Sequence, residues 1–216
     1  MTVETAFRAT YAALDAEASL MGAHWATVWG RYTGRGRHYH NLRHLEEMLA
    51  LLEAHDALAE DRVALELAIY YHDLIYNPLR RDNEAQSARA ASRLLAEVAE
   101  ETTIAKVAAM IEATAAHAPS ADPDTALLLD IDMAILGAAP ARYDAYAKQV
   151  RKEYWMYPGP VYRRGRRKAL EGFLAGEQIY QLEAFRQNFE TQARENVWRE
   201  LGATPPTAPP AADHPP

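Results

Sequence analysis

The sequence predicts an all-α fold, a single helical bundle, and three observations predict it. Alanine, leucine and glutamate dominate, and the apolar residues recur at helical spacing over long stretches. No run alternates apolar and polar residues with the β-branched enrichment of a strand. The chain has 216 residues, 49% of them hydrophobic, which suits one domain with a sizeable core.

Taken in order, the periodicity predicts helices over roughly 3–30, 42–56, 59–75, 84–98, 101–116, 141–155, 165–178 and 181–200. Residues 1–30 read as an N-terminal helical addition within one domain spanning 1–202. Asn41 can cap the second helix, and Asn77-Pro78 ends the third, because the residue before a proline is pushed out of the helical region. Pro119, Asp122-Pro123 and Pro158-Gly159-Pro160 punctuate the rest. Residues 203–216 hold half of the chain's prolines and little to bury, so a disordered or polyproline tail is expected, and His214 within it is not counted as a ligand.

The formal net charge is -7 and the isoelectric point about 5.6, the opposite of the balance that nucleic acid or an anionic membrane surface selects. The chain has no cysteine, which excludes disulfides, thiolate zinc sites and cysteine nucleophiles. Any metal must be held by imidazole or carboxylate. The first residues do not read as a signal peptide and no segment approaches a membrane span, so a cytoplasmic location is expected.

Three segments carry the chemistry. Arg37-His38-Tyr39-His40-Asn41-Leu42-Arg43-His44 sets His44 in the first turn of a helix and His40 just before it. The positive end of the helix dipole favours neutral imidazole, the form that binds metal. His72-Asp73 closes a helix that is apolar around most of its circumference, where an ionised aspartate needs a partner or a cation. Asp130 and Asp132 sit in the apolar run Leu127–Gly137. Two imidazoles and two carboxylates suit Mn²⁺, Fe²⁺, Co²⁺, Zn²⁺ or Mg²⁺.

A histidine, then a His-Asp pair, then a distant aspartate resembles the HD superfamily of metal-dependent phosphohydrolases, and in particular its stand-alone bacterial members. The similarity runs from about Arg31 to about Asn196, and the phrase Tyr39-His40-Asn41-x-x-His44 is also similar to that of cyclic nucleotide phosphodiesterases. The resemblance implies an HD-like helical bundle holding one or two divalent metals, with a small phosphorylated molecule such as a nucleotide as substrate. It makes His40 the general acid and His44, His72 and Asp73 ligands, with Asp73 placed to bridge to a second metal. It favours Asp132 as the last ligand, with Asp130 as the alternative. It also implies that Asn83 and Glu84 border the site and that His117 faces it.

Simpler readings stand beside these. Asp82 or Asn83 can be a helix cap with Glu84 in the acidic first turn, and His117 can serve helix carbonyls. Arg80 or Arg81 could bind phosphate oxygens through a guanidinium. Arg163–Lys168 is the one strongly basic patch. Cations at a helix start are unfavourable without an anion, which singles out Arg166 as a phosphate contact. The aromatics of Tyr143–Tyr162, Trp155 included, could stack on a base or simply build core. Two other functions fit the pattern less well: a non-catalytic nucleotide-binding module, and a di-iron oxygenase, which needs two further histidines where only His117 is present.

Overall fold

The computed structural model describes residues 2–203, and among these every regular element is helical. The tail expected beyond Ala203 lies outside the described residues. No helix is long and apolar enough to cross a membrane.

Two helices open the chain, α1 (Val3–Ala13) and α2 (Ala18–Tyr32), where the periodicity predicts one. The break is local: Asp15 adopts φ 52°, a left-handed conformation that stops α1 and reverses the chain. After them come α3 (Leu42–Ala54), α4 (Arg62–Tyr71), α5 (Asn83–Leu95) and α6 (Glu101–Ala113). Next is α7 (Pro123–Met133), a helix that periodicity does not announce. Its proline at the first turn and the Asp122 cap, which accepts the Thr125 N–H at 2.7 Å, are good start signals. Nine of its eleven residues are buried, however, so no polar face marks its period.

The chain ends with α8 (Pro140–Glu153), α9 (Gly159–Leu174), the single turn α10 (Glu183–Phe185) and α11 (Thr191–Leu201), the last two joined by a π-helical turn, Arg186–Glu190. The core forms around α4, whose Leu65, Leu67, Ala68, Ile69, Tyr70 and Tyr71 are wholly enclosed. It packs against α1, α3, α5, α6 and α7.

The turn after α7 is locked. A β-carbon at Gly137 would lie 2.6–2.9 Å from Phe189, so only glycine permits this crossing with the π-helical turn. Asn196, fully buried, donates through Nδ2 to the carbonyls of Leu136 (2.8 Å) and Ala138 (2.7 Å). Tyr180 donates to the Met133 carbonyl at 3.1 Å. These contacts fix the end of α7, and Asp132 with it.

Candidate metal centre

The first wall of the site is the loop into α3. Asn41 caps that helix, its Oδ1 accepting the Arg43 N–H at 2.9 Å while its Nδ2 donates to the His38 carbonyl at 2.9 Å. This places His44 in the first turn, buried, and leaves His40 at the lip. Arg37 straps the loop to the next element, donating to the carbonyls of His40 (3.0 Å) and Leu74 (3.1 Å).

His72 and Asp73 follow α4 directly. His72 Nδ1 lies 2.9 Å from the Ile69 carbonyl, which can only accept, so this nitrogen carries a proton and Nε2 points inward. The Asp73 N–H donates to the Tyr32 hydroxyl at 3.2 Å, tying the pair to α2.

The third wall is α7. Asp132 Oδ1 lies 3.2 Å from His44 Nε2 and 3.9 Å from His72 Nε2, while Oδ2 lies 3.0 Å from His117 Nε2. Residues two apart on a helix face opposite ways. Accordingly Asp130 turns from the cluster and accepts the N–H groups of Gln181 (2.8 and 3.0 Å) and Leu182 (2.7 Å); burial pushes its carboxyl up to about 6.

His44 Nε2 and His72 Nε2 are 3.2 Å apart, and Asp73 Oδ2 is 3.2 Å from His72 Nε2. One ligand atom each from His44, His72 and Asp132 lies within 4.8 Å of the others, so this buried group could hold a metal ion. The electrostatics fit a cation. Burial alone would push the His72 imidazole down, yet the carboxylates of Asp73 and Asp132 lift it to about 9. Burial would raise both aspartates, but the surrounding imidazoles hold Asp73 and Asp132 well below the usual carboxylate range. The site thus keeps a proton on His72 that offsets buried negative charge, and a divalent ion would supply that charge directly.

His117 joins the cluster from the turn after α6 with φ 48°, a conformation uncommon for a residue with a side chain and one that recurs at functional sites. His40 Nε2 lies 3.9 Å from Asp73 Oδ2. Its orientation comes from a residue that the motif does not contain, Glu153 at the end of α8. Glu153 Oε1 accepts three consecutive N–H groups, from His38 (2.8 Å), Tyr39 (2.7 Å) and His40 (3.0 Å). Its Oε2 accepts from His40 Nδ1 (2.6 Å) and the Tyr76 hydroxyl (2.9 Å). Burial works against the imidazolium of His40, but Asp73 and Glu153 raise its pKa above the ordinary value. The sequence signal for Glu153 is faint: one acid near the end of an amphipathic helix.

Three of the expected site residues, Asn83, Arg80 and Arg166, are held by partners outside the cluster. Asn83 pairs with Asn77, accepting its N–H and donating to its carbonyl, both at 3.0 Å, and so closes the loop after the His-Asp pair. Glu84 makes no hydrogen bond to the cluster. Arg80 is exposed and paired with Asp82 at 2.7 Å. Arg166 is drawn inward by Glu200 (2.9 and 3.0 Å) and the Tyr146 hydroxyl (3.0 Å), so its guanidinium already has its anion. Of the aromatics, Tyr143 and Tyr146 are core whereas Trp155 is exposed.

No protein-family model, curated protein or solved structure matches the chain.

Proposed function

We propose that the chain is a metal-dependent phosphohydrolase of the HD type that cleaves a small phosphorylated metabolite. The observation that carries this reading is the convergence of His44, His72, Asp73 and Asp132 with a lip histidine, His40, whose Nε2 faces Asp73. His44, His72, Asp73 and Asp132 would hold the divalent ion, with His117 beside Asp132. Such an ion supplies positive charge that polarises a phosphoryl oxygen and lowers the pKa of water at the site from 15.7 toward about 7.

The chain's own part is proton handling. Glu153 occupies His40 Nδ1, so Nε2 is the nitrogen left to donate to the departing oxygen as its bond to phosphorus breaks. The water that forms the new bond to phosphorus releases a proton that restores His40. Acid catalysis of this kind contributes on the order of 10²–10⁴-fold.

The test is the metal content of protein purified without chelator, set beside the His72→Ala variant and followed by a phosphate-ester panel with Mn²⁺, Mg²⁺ and Co²⁺. One or two equivalents lost in the variant, with turnover lost in His40→Ala while its metal stays, are the expected results. Full activity in His40→Ala removes the acid role. Two irons per chain would point to oxygen chemistry, and nucleotide binding without turnover under any metal would point to a binding module.

A further inference from the structure

A groove touches the cluster itself. Its volume is about 310 Å³, and two of the proposed metal ligands, His44 and Asp132, form part of its wall. His44, Glu47, Met48 and Leu51 recur at three, four and seven residues along α3, so they share one face. At 1.5 Å per residue that face carries the groove roughly 10 Å beyond the metal ligand. The other wall is the end of α7 and the turn after it, through Ile131, Ile135 and Ala138, with Phe189 of the π-helical turn.

Beyond the ligands these walls are mainly apolar. Their two other charged side chains, Glu47 and Arg142, are paired with each other (2.5 and 3.1 Å), so neither brings an unmatched charge. Tyr39 is the remaining polar residue. Its ring packs 4.9 Å from those of His40 and His44, at the metal end, and it is 5% exposed. Its hydroxyl nevertheless makes no hydrogen bond among the described residues. A buried tyrosine hydroxyl ordinarily finds a partner, so this one is a donor left for whatever fills the groove. An apolar cavity of ~150 Å³ holds one benzene ring, so there is room here for a ring with a short arm. A sugar and base would instead set their hydrogen-bonding groups against Met48, Leu51, Ile131, Ile135 and Phe189 with nothing to answer them.

We propose that this groove seats the organic body of the phosphate ester, and that the body is an apolar group about the size of one aromatic ring. The Tyr39 hydroxyl donates to an oxygen at its phosphate end. The assignment rests on the phosphohydrolase reading for that phosphate end only.

The experiment is calorimetric titration of the full Mn²⁺-loaded chain with three phosphonates, which resist hydrolysis: methylphosphonate, benzylphosphonate and the phosphonate analogue of adenosine 5′-monophosphate. Each buried methylene is worth about fourfold in affinity. Benzylphosphonate should therefore bind at least tenfold tighter than methylphosphonate, and tighter than the nucleoside compound. Ala138→Leu fills the groove, and Ala50→Leu narrows it from an exposed position of α3 that does not threaten folding. Each should lower benzylphosphonate affinity at least fivefold and leave methylphosphonate affinity unchanged. Tyr39→Phe, which keeps the ring, should weaken both of these phosphonates by a similar factor, at least threefold. Equal binding of methylphosphonate and benzylphosphonate overturns the groove, as does benzylphosphonate affinity unmoved by both filling variants or tightest binding by the nucleoside compound. Unchanged binding of both phosphonates in Tyr39→Phe overturns the part given to the hydroxyl. A chain that hydrolyses no phosphate ester, yet binds benzylphosphonate more weakly in the filled variants, keeps the groove and loses the phosphohydrolase. A chain that hydrolyses esters, with benzylphosphonate affinity unmoved by either variant, keeps the phosphohydrolase and loses the groove.

Discussion

His40 Nδ1 and Glu153 Oε2 lie 2.6 Å apart although 113 residues separate them in the chain. The contact does two things: it aims Nε2 at Asp73, and it raises the imidazole pKa against the pull of burial. A general acid must be protonated to act, so activity should fail on the alkaline side of the His40 pKa. Glu153→Gln keeps an oxygen for the three backbone N–H groups but removes the charge. Its kcat should fall by at least about tenfold, part of the ~10²–10⁴-fold of a general acid, and the alkaline limb of the pH profile should move to lower pH with metal content intact. An alkaline limb that stays in place would show that Glu153 acts only on folding.

Asp132 and Asp130 separate metal binding from loop anchoring. Asp132→Ala removes a ligand and should empty the site. Asp130→Ala leaves the Gln181 and Leu182 N–H groups without their acceptor, at a cost of about 1–3 kcal/mol. Its melting temperature should drop by several degrees, at about 2–4 °C per kcal/mol for a chain of this size, with full metal content. Metal analysis and calorimetry on both variants check this; loss of metal in Asp130→Ala would contradict the geometry.

Much of this site is legible in the sequence because its parts are local. Asn41 caps α3, so the capping signal alone places His40 and His44 relative to a helix start. Asp73 in an apolar helix end advertises an unpaired charge. What is not legible depends on three-dimensional partners. Arg166 reads as an unmatched cation until Glu200, 34 residues on, arrives beside it. Nothing in the sequence singles out Glu153, whose role appears only where it meets the His38–His40 backbone. The helix α7 hides because burial on every face erases the periodicity that reveals the others.

Proton competition gives the site a pH signature. In the metal-free protein His72 is lifted to about 9, so below that pH a metal must displace its proton. Mn²⁺ affinity should therefore rise with pH, by about tenfold per unit for one displaced proton, and level off above about 9. The sign for stability follows from the same shift: a raised imidazole pKa stabilises the folded metal-free chain fully below 6.5, and that contribution is lost as pH climbs through about 9. Metal-free protein should melt lower at pH 9.5 than at pH 7, while the metal-loaded form should show a smaller drop. Calorimetric titration in two buffers of different ionisation heat checks the proton release, and none at pH 7 would contradict the shift.

His117 combines backbone strain with a pointed side chain, and substitution can separate the two. At φ 48° a β-carbon is unfavourable, by about 1–2 kcal/mol relative to glycine. His117→Gly and His117→Ala both remove the imidazole that meets Asp132 at 3.0 Å, so both should lose activity to the same extent. Their stabilities should differ, because glycine accepts the left-handed turn and alanine does not. The glycine variant should melt above the alanine variant by the equivalent of about 1 kcal/mol, roughly 2–4 °C, and close to the parent, since relief of strain offsets the lost hydrogen bond. Variants that melt together would mean that the turn relaxes once the histidine is gone. In that case the contact with Asp132 holds the turn in place, rather than the turn presenting the histidine.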